Sequence, residues 1–102
     1  MASIIEDMLR EERARNLEMQ RAFQDEIADL PRGSLVVQSI RGNNYCYLKY
    51  REGGKVVSRY IGRAEDCQEG LENSIARRRR LEESLRRIRD ELKVISKVVG
   101  KA

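Results

Sequence analysis

Residues 30–63 read LPRGSLVVQSIRGNNYCYLKYREGGKVVSRYIGR. The stretch holds all four tyrosines of the chain and sets seven Lys/Arg against a single acid, Glu52. Runs rich in Val, Ile and Tyr are separated by Gly42-Asn43-Asn44 and Gly53-Gly54. Branched and aromatic side chains suit a pleated surface, and glycine and asparagine tolerate the positive φ of hairpin turns. The pattern predicts strands near Ser34–Arg41, Tyr45–Arg51 and Lys55–Ile61, joined as an antiparallel meander.

Register follows from turn length. A two-residue turn at Gly53-Gly54 pairs Tyr50 with Val57 and Leu48 with Arg59, and sets Cys46 against Ile61. A three-residue turn at Gly42–Asn44 pairs Ile40 with Cys46 and Val36 with Tyr50. One face then collects Val36, Ile40, Cys46, Leu48, Tyr50, Val57 and Ile61, with Arg59 as an exception. The other carries Val37, Ser39, Arg41, Tyr45, Tyr47, Lys49, Arg51, Val56, Ser58 and Tyr60. A slip of one residue would exchange these sets, because side chains alternate along a strand.

Both flanks read as helices. Residues 3–30 place Ile5, Leu9, Met19, Phe23, Ile27 and Leu30 at or near three-and-four spacing, interrupted by Glu12 and Asn16. Ser3 has the spacing of a cap with Glu6, and Pro31 and Gly33 stop the helix. From Asp66, itself spaced to cap with Glu69, a second helix is expected to run to about residue 99. Its stripe is Leu71, Arg78, Leu81, Leu85, Ile88, Leu92, Ile95 and Val99, with gaps at Ser74 and Arg78. The expected fold is α+β in a single domain over 1–102: helix 3–30, meander 34–61, helix 66–99. The two helices are expected to pack as an antiparallel coiled-coil hairpin and to dimerise into a four-helix bundle, since one hairpin leaves apolar surface uncovered.

Charge is unevenly spread over the net +4. Residues 1–29 carry 4 Lys/Arg and 8 Asp/Glu, residues 30–63 carry 7 and 1, and residues 64–102 carry 10 and 8. The meander is therefore where an anionic partner would be drawn. Arg77–Arg80 form a second basic run, but four successive residues point all round a helix and nearby acids offset them. That run reads as a solvated, ion-paired face.

Several classes are not expected. With no histidine and two widely separated cysteines, Cys46 and Cys67, a metal centre lacks ligands, and the cysteines read as free thiols in a reducing cytoplasm. No cofactor motif is present: the glycines at Gly53-Gly54 lack the GxxxxGK[ST] spacing of a phosphate loop, and a hairpin accounts for them. No nucleophile stands at a spacing from a base that would suggest catalysis, so an enzyme is not expected. The first residues, MASIIEDMLREE, lack a basic start and a long apolar run, and no stretch is long and apolar enough for a membrane span.

The segment GSL followed by GNNYCYLKYREGGKVVSRYIG resembles a family of short uncharacterised bacterial and archaeal proteins. Their recurring core reads approximately GS-L-x-I-x-G-x-YYYL-x-YREGGKV-x-S-x-YIG, with Cys46 here at a position usually aromatic. The resemblance is dense over about a third of the chain and loose over the second helix. The strand pattern is also similar to the arm-type DNA-binding sheets of tyrosine recombinases and some transposases. Residues and resemblance together lead to the expectation of a non-enzymatic, cytoplasmic nucleic-acid-binding protein, acting on DNA ahead of RNA. The contacting residues would be Tyr45, Tyr47, Lys49, Arg51, Lys55 and Tyr60, with Arg41 at the rim. A coiled-coil module that docks a protein partner is the alternative.

Overall fold

The computed structural model describes residues 3–66 and 69–100. Its elements are α1 (Ile4–Ala28), β1 (Ser34–Ile40), β2 (Asn43–Glu52), β3 (Lys55–Arg63), a 3-10 turn (Ala64–Asp66) and α2 (Glu69–Val99). This is the expected order of helix, three-stranded antiparallel sheet and helix, with β2 central. The chain falls into two compact units, residues 30–78 and residues 1–29 with 79–102.

Ser3 caps α1 as its spacing predicts, its hydroxyl accepting from the Glu6 amide at 3.0 Å. The cap satisfies one of the amides that a helix start leaves unpaired. Glu6 and Asp7 occupy the first turn, where carboxylates oppose the positive end of the helix dipole. Asp66 ends the 3-10 turn and α2 begins at Glu69, three residues after the expected start; the cap expected between these two side chains lies outside the described residues.

In the helical unit, Leu81, Leu85, Ile88 and Ile95 of α2 are buried, as the heptad spacing predicts. The stripe on α1 differs from expectation. Ile5 and Met19 are 68% and 45% exposed, whereas Asn16 is 2% exposed. Gln20 is half-buried, so the buried line steps from Asn16 to Gln20, Phe23 and Ile27, one residue away from Met19. Asn16 Nδ2 donates to Glu91 Oε2 at 3.0 Å, which supplies the partner that a buried amide needs. Glu12 pairs with Arg15 along α1, and Arg87 with Glu83 along α2 at 3.0 Å.

In the sheet unit, Cys46, Leu48 and Ile75 are the buried apolar side chains. Cys46 is disulfide-bonded rather than a free thiol. The chain's other cysteine, Cys67, lies outside the described residues. Among the described residues, no helix is long and apolar enough to cross a membrane.

The second hairpin has the expected register: Tyr50 pairs with Val57 and Leu48 with Arg59 around Gly53-Gly54. Further on, a bulge beside Cys46 and Tyr47 shifts the partner of Cys46 from Ile61 to Gly62. The first hairpin departs from expectation by three residues of register, Cys46 meeting Val37 instead of Ile40. Its turn is Arg41-Gly42, both at positive φ (52° and 82°), so Ile40 pairs with Asn43, Val37 with Cys46 and Val36 with Tyr47. Two consecutive positive-φ residues make the tight turn whose twist matches that of the flanking strands. Asn43 and Asn44 therefore belong to β2, and β1 turns over. Leu35 and Val37 lie on the side of Cys46 and Leu48, while Val36, Gln38 and Ile40 lie on the side of the tyrosines.

Candidate nucleic-acid interface

Alternation along β2 puts Tyr45, Tyr47, Lys49 and Arg51 on one side of the sheet. Across β3, Tyr47 pairs with Tyr60, Lys49 with Ser58 and Arg51 with Val56; across β1, Tyr47 meets Val36 and Tyr45 meets Gln38. Tyr60 sits between the other two rings, with centroids 5.6 Å from Tyr47 and 6.2 Å from Tyr45, both tilted. Such edge-to-face pairs hold aromatic side chains in place and are favoured by about 0.5–1.5 kcal/mol beyond their buried area. Tyr45 and Tyr47 are half-buried, and Tyr60 is 54% exposed. Three phenol rings thus form a short row, and its middle member, Tyr60, is the one open to solvent.

Lys49 is half-buried beside this row and Arg51 is exposed beyond it, towards the second hairpin. The bulge adds a cation that strand spacing alone does not place here. Arg63 pairs across from Tyr45 and stands exposed, 3.8 Å from Glu65. Glu52, the sole acid of the stretch, pairs with Lys55 at the hairpin end of the ladder, and by alternation both belong to the opposite side.

Of the seven residues expected to make contact, the structure brings five together: Tyr45, Tyr47, Tyr60, Lys49 and Arg51. Lys55 is exposed at the second hairpin tip with the parity of the other face, so it does not join them. Arg41 is exposed in the first hairpin turn, at the other end of β2. Arg63 was missed. The available signal was Gly62 inside an otherwise branched and aromatic run, because an isolated strand glycine often marks a bulge.

Chemically, the face combines flat π surfaces with point cations and carries little competing negative charge. It offers no general base, no paired carboxylates and no closed cavity.

Residues 5–69 match a family described as a domain of unknown function, DUF6788. No curated protein and no solved structure is significantly similar. The match reaches further towards the N-terminus than the sequence resemblance suggested, taking in α1 from Ile5, and it stops where α2 begins. Helix α1 and the three-stranded sheet are therefore the family's shared unit, and the chain belongs to the DUF6788 family.

Proposed function

We propose that the tyrosine-bearing face of the sheet binds nucleic acid, DNA ahead of RNA, in a non-enzymatic accessory role. The observation that carries the reading is the register: it gathers Tyr45, Tyr47 and Tyr60 with Lys49, Arg51 and Arg63 on one side of β2 and β3. Lysine and arginine hold phosphates, and an exposed ring such as Tyr60 stacks on a base or packs against a sugar. A narrow antiparallel sheet fits the B-form major groove, whereas the deep, narrow A-form groove excludes it. This preference, and the similarity of the strand pattern to recombinase arm-binding sheets, put DNA first.

Three cations on the face set the magnitude. Each phosphate neutralised on duplex contributes about −0.9 to the slope of log affinity against log salt, so one sheet gives a slope of about −2.7. Affinity then falls roughly 40-fold between 50 and 200 mM salt. A fluorescence anisotropy titration of a labelled duplex at several salt concentrations measures this. A Lys49→Glu/Arg51→Glu variant should lose most of the affinity and flatten the slope to about −1. Salt-independent binding, or binding unchanged in the variant, rejects the reading.

Self-association belongs to the same proposal. Ile4, Ile5 and Met8 of α1 and Val94 and Val98 of α2 are each more than half exposed. Large apolar side chains left open on both helices offer surface that association would cover. We infer a dimer through the helices, with two copies of the sheet doubling the salt slope. The second reading is a coiled-coil module whose helices scaffold a complex and whose sheet docks a protein. It predicts capture of a protein partner that survives nuclease treatment.

A further inference from the structure

Two residues break the apolar pattern of the sheet unit, and both are arginines. Arg59 pairs with Leu48, which is 7% exposed, so it falls on the side of the sheet that holds Cys46 and Leu48. Strand alternation calls for an aliphatic residue there. Arg78 interrupts the α2 stripe between the buried Ile75 and Leu81, where helical periodicity calls for the same. Such departures from local pattern concentrate at sites with a use.

Both arginines line one cleft. It measures ≈ 280 Å³ and is bounded by Leu30 and Arg32 before β1, Leu48 and Tyr50 on β2, Arg59 on β3 and Arg78 on α2. Among the described residues its walls include three arginines and no Asp or Glu. Two of the three are held in place. Arg78 Nη1 donates to the Leu30 carbonyl at 2.6 Å, and the Arg32 guanidinium lies over the Tyr50 ring, 5.6 Å from its centroid. Arg59 has no carboxylate partner among the described residues, and neither Leu48 nor Leu30 offers it a charge to meet.

We propose that this cleft is an anion site that takes a phosphate group. Arginines from two separate elements and the segment before β1 converge on one cleft, and Arg59 meets no carboxylate there among the described residues. Planar guanidinium groups match phosphate oxygens two at a time. The cleft is open to solvent on the side of Arg32 and Arg59, so an anion can reach the guanidinium groups without a change in the fold. The site uses none of the residues of the tyrosine face and stands independently of the function proposed for that face.

The test is a ¹⁵N–¹H NMR titration of the full chain with inorganic phosphate at fixed ionic strength, with chloride as the control. Saturable shifts should be confined to residues 30–32, 48–50 and 59 and to the arginine side-chain signals of Arg32, Arg59 and Arg78. Arg59→Gln, an exposed position that the fold tolerates, should weaken phosphate on the order of tenfold or more, the loss expected for one charged hydrogen bond. Arg32→Gln provides a second variant with the same expectation, and Lys49→Glu/Arg51→Glu should leave the titration unchanged. Dimethyl phosphate and phenyl phosphate then separate the sources. Equal binding of the diester identifies a nucleic-acid backbone as the donor, and binding of the monoester alone identifies a free phosphomonoester. Shifts reproduced by chloride, or phosphate affinity unchanged in both arginine variants, overturn the proposal.

Discussion

Gly33→Ala is the substitution whose cost is most directly readable from the backbone. Gly33 has φ of +112°, and a Cβ there would stand 2.3 Å from the Lys49 carbonyl oxygen and 3.0 Å from the Tyr50 Cβ. An L-residue at positive φ costs about 1–2 kcal/mol. The steric contact adds about 1–3 kcal/mol of overpacking, because the opposing atom is main chain of the central strand and cannot swing aside. A total near 3 kcal/mol lowers the midpoint of a domain this size by roughly 12–24 °C. Gly54→Ala isolates the two effects: φ is +79° and nothing lies within 4 Å of the added methyl, so only the backbone strain is incurred. Thermal melts followed by circular dichroism should order the proteins wild type, Gly54→Ala, Gly33→Ala, with the last pair separated by about 2 kcal/mol. Gly33→Ala melting at or above Gly54→Ala would refute the close approach of the segment before β1 to β2. It would also remove the support for Arg32 over Tyr50.

Three further outcomes follow from single positions. Arg41→Asn should stabilise the sheet by about 1 kcal/mol, since Arg41 is the one non-glycine residue at positive φ among those described and asparagine tolerates that region better; a drop in urea midpoint would contradict the assigned turn. Asn16→Leu should raise the melting temperature by the equivalent of about 1 kcal/mol, because a polar residue in a helical seam fixes alignment at a cost in stability. Glu91, which is exposed, returns to water when its partner is removed, so a fall in stability would show that the Asn16–Glu91 bond outweighs the burial. Ile4→Glu/Met8→Glu should shift the mass measured by light scattering from dimer to monomer without lowering helical content; an unchanged mass would place the helical contact elsewhere.

The legible parts of the chain were those with one local solution. Gly53-Gly54 admits a tight two-residue turn, and the register of β2 with β3 followed from it up to the bulge. The heptad stripe of α2 named Leu81, Leu85, Ile88 and Ile95 before any coordinates. The first hairpin was not legible, because Gly42-Asn43-Asn44 has turn chemistry at every position and the structure places Arg41 at positive φ instead. The resulting three-residue shift in register, being odd, exchanged Val36 for Val37 and Ile40 for Ser39 between the faces. The tyrosine face survived because it is set by β2, whose alternation does not depend on β1. Arg63 was hidden behind the bulge, which inserts Ile61 without a partner in the ladder. Asn16 was read as a weak point of the seam, yet it is the most buried residue of α1, because its amide finds a carboxylate 75 residues away in the chain. Periodicity does not encode such a pairing.

On the proposed reading, the Tyr45, Tyr47 and Tyr60 side of the sheet is the surface that meets nucleic acid. Titrating ¹³C-tyrosine-labelled protein with a short duplex and following the ring signals tests it most directly. The account predicts saturable shifts at Tyr60 first, with Tyr45 and Tyr47 following, while Tyr50 on the opposite side stays in place and added salt reverses the change. Shifts at Tyr50 alone, or no ring responding while the duplex binds, would contradict it.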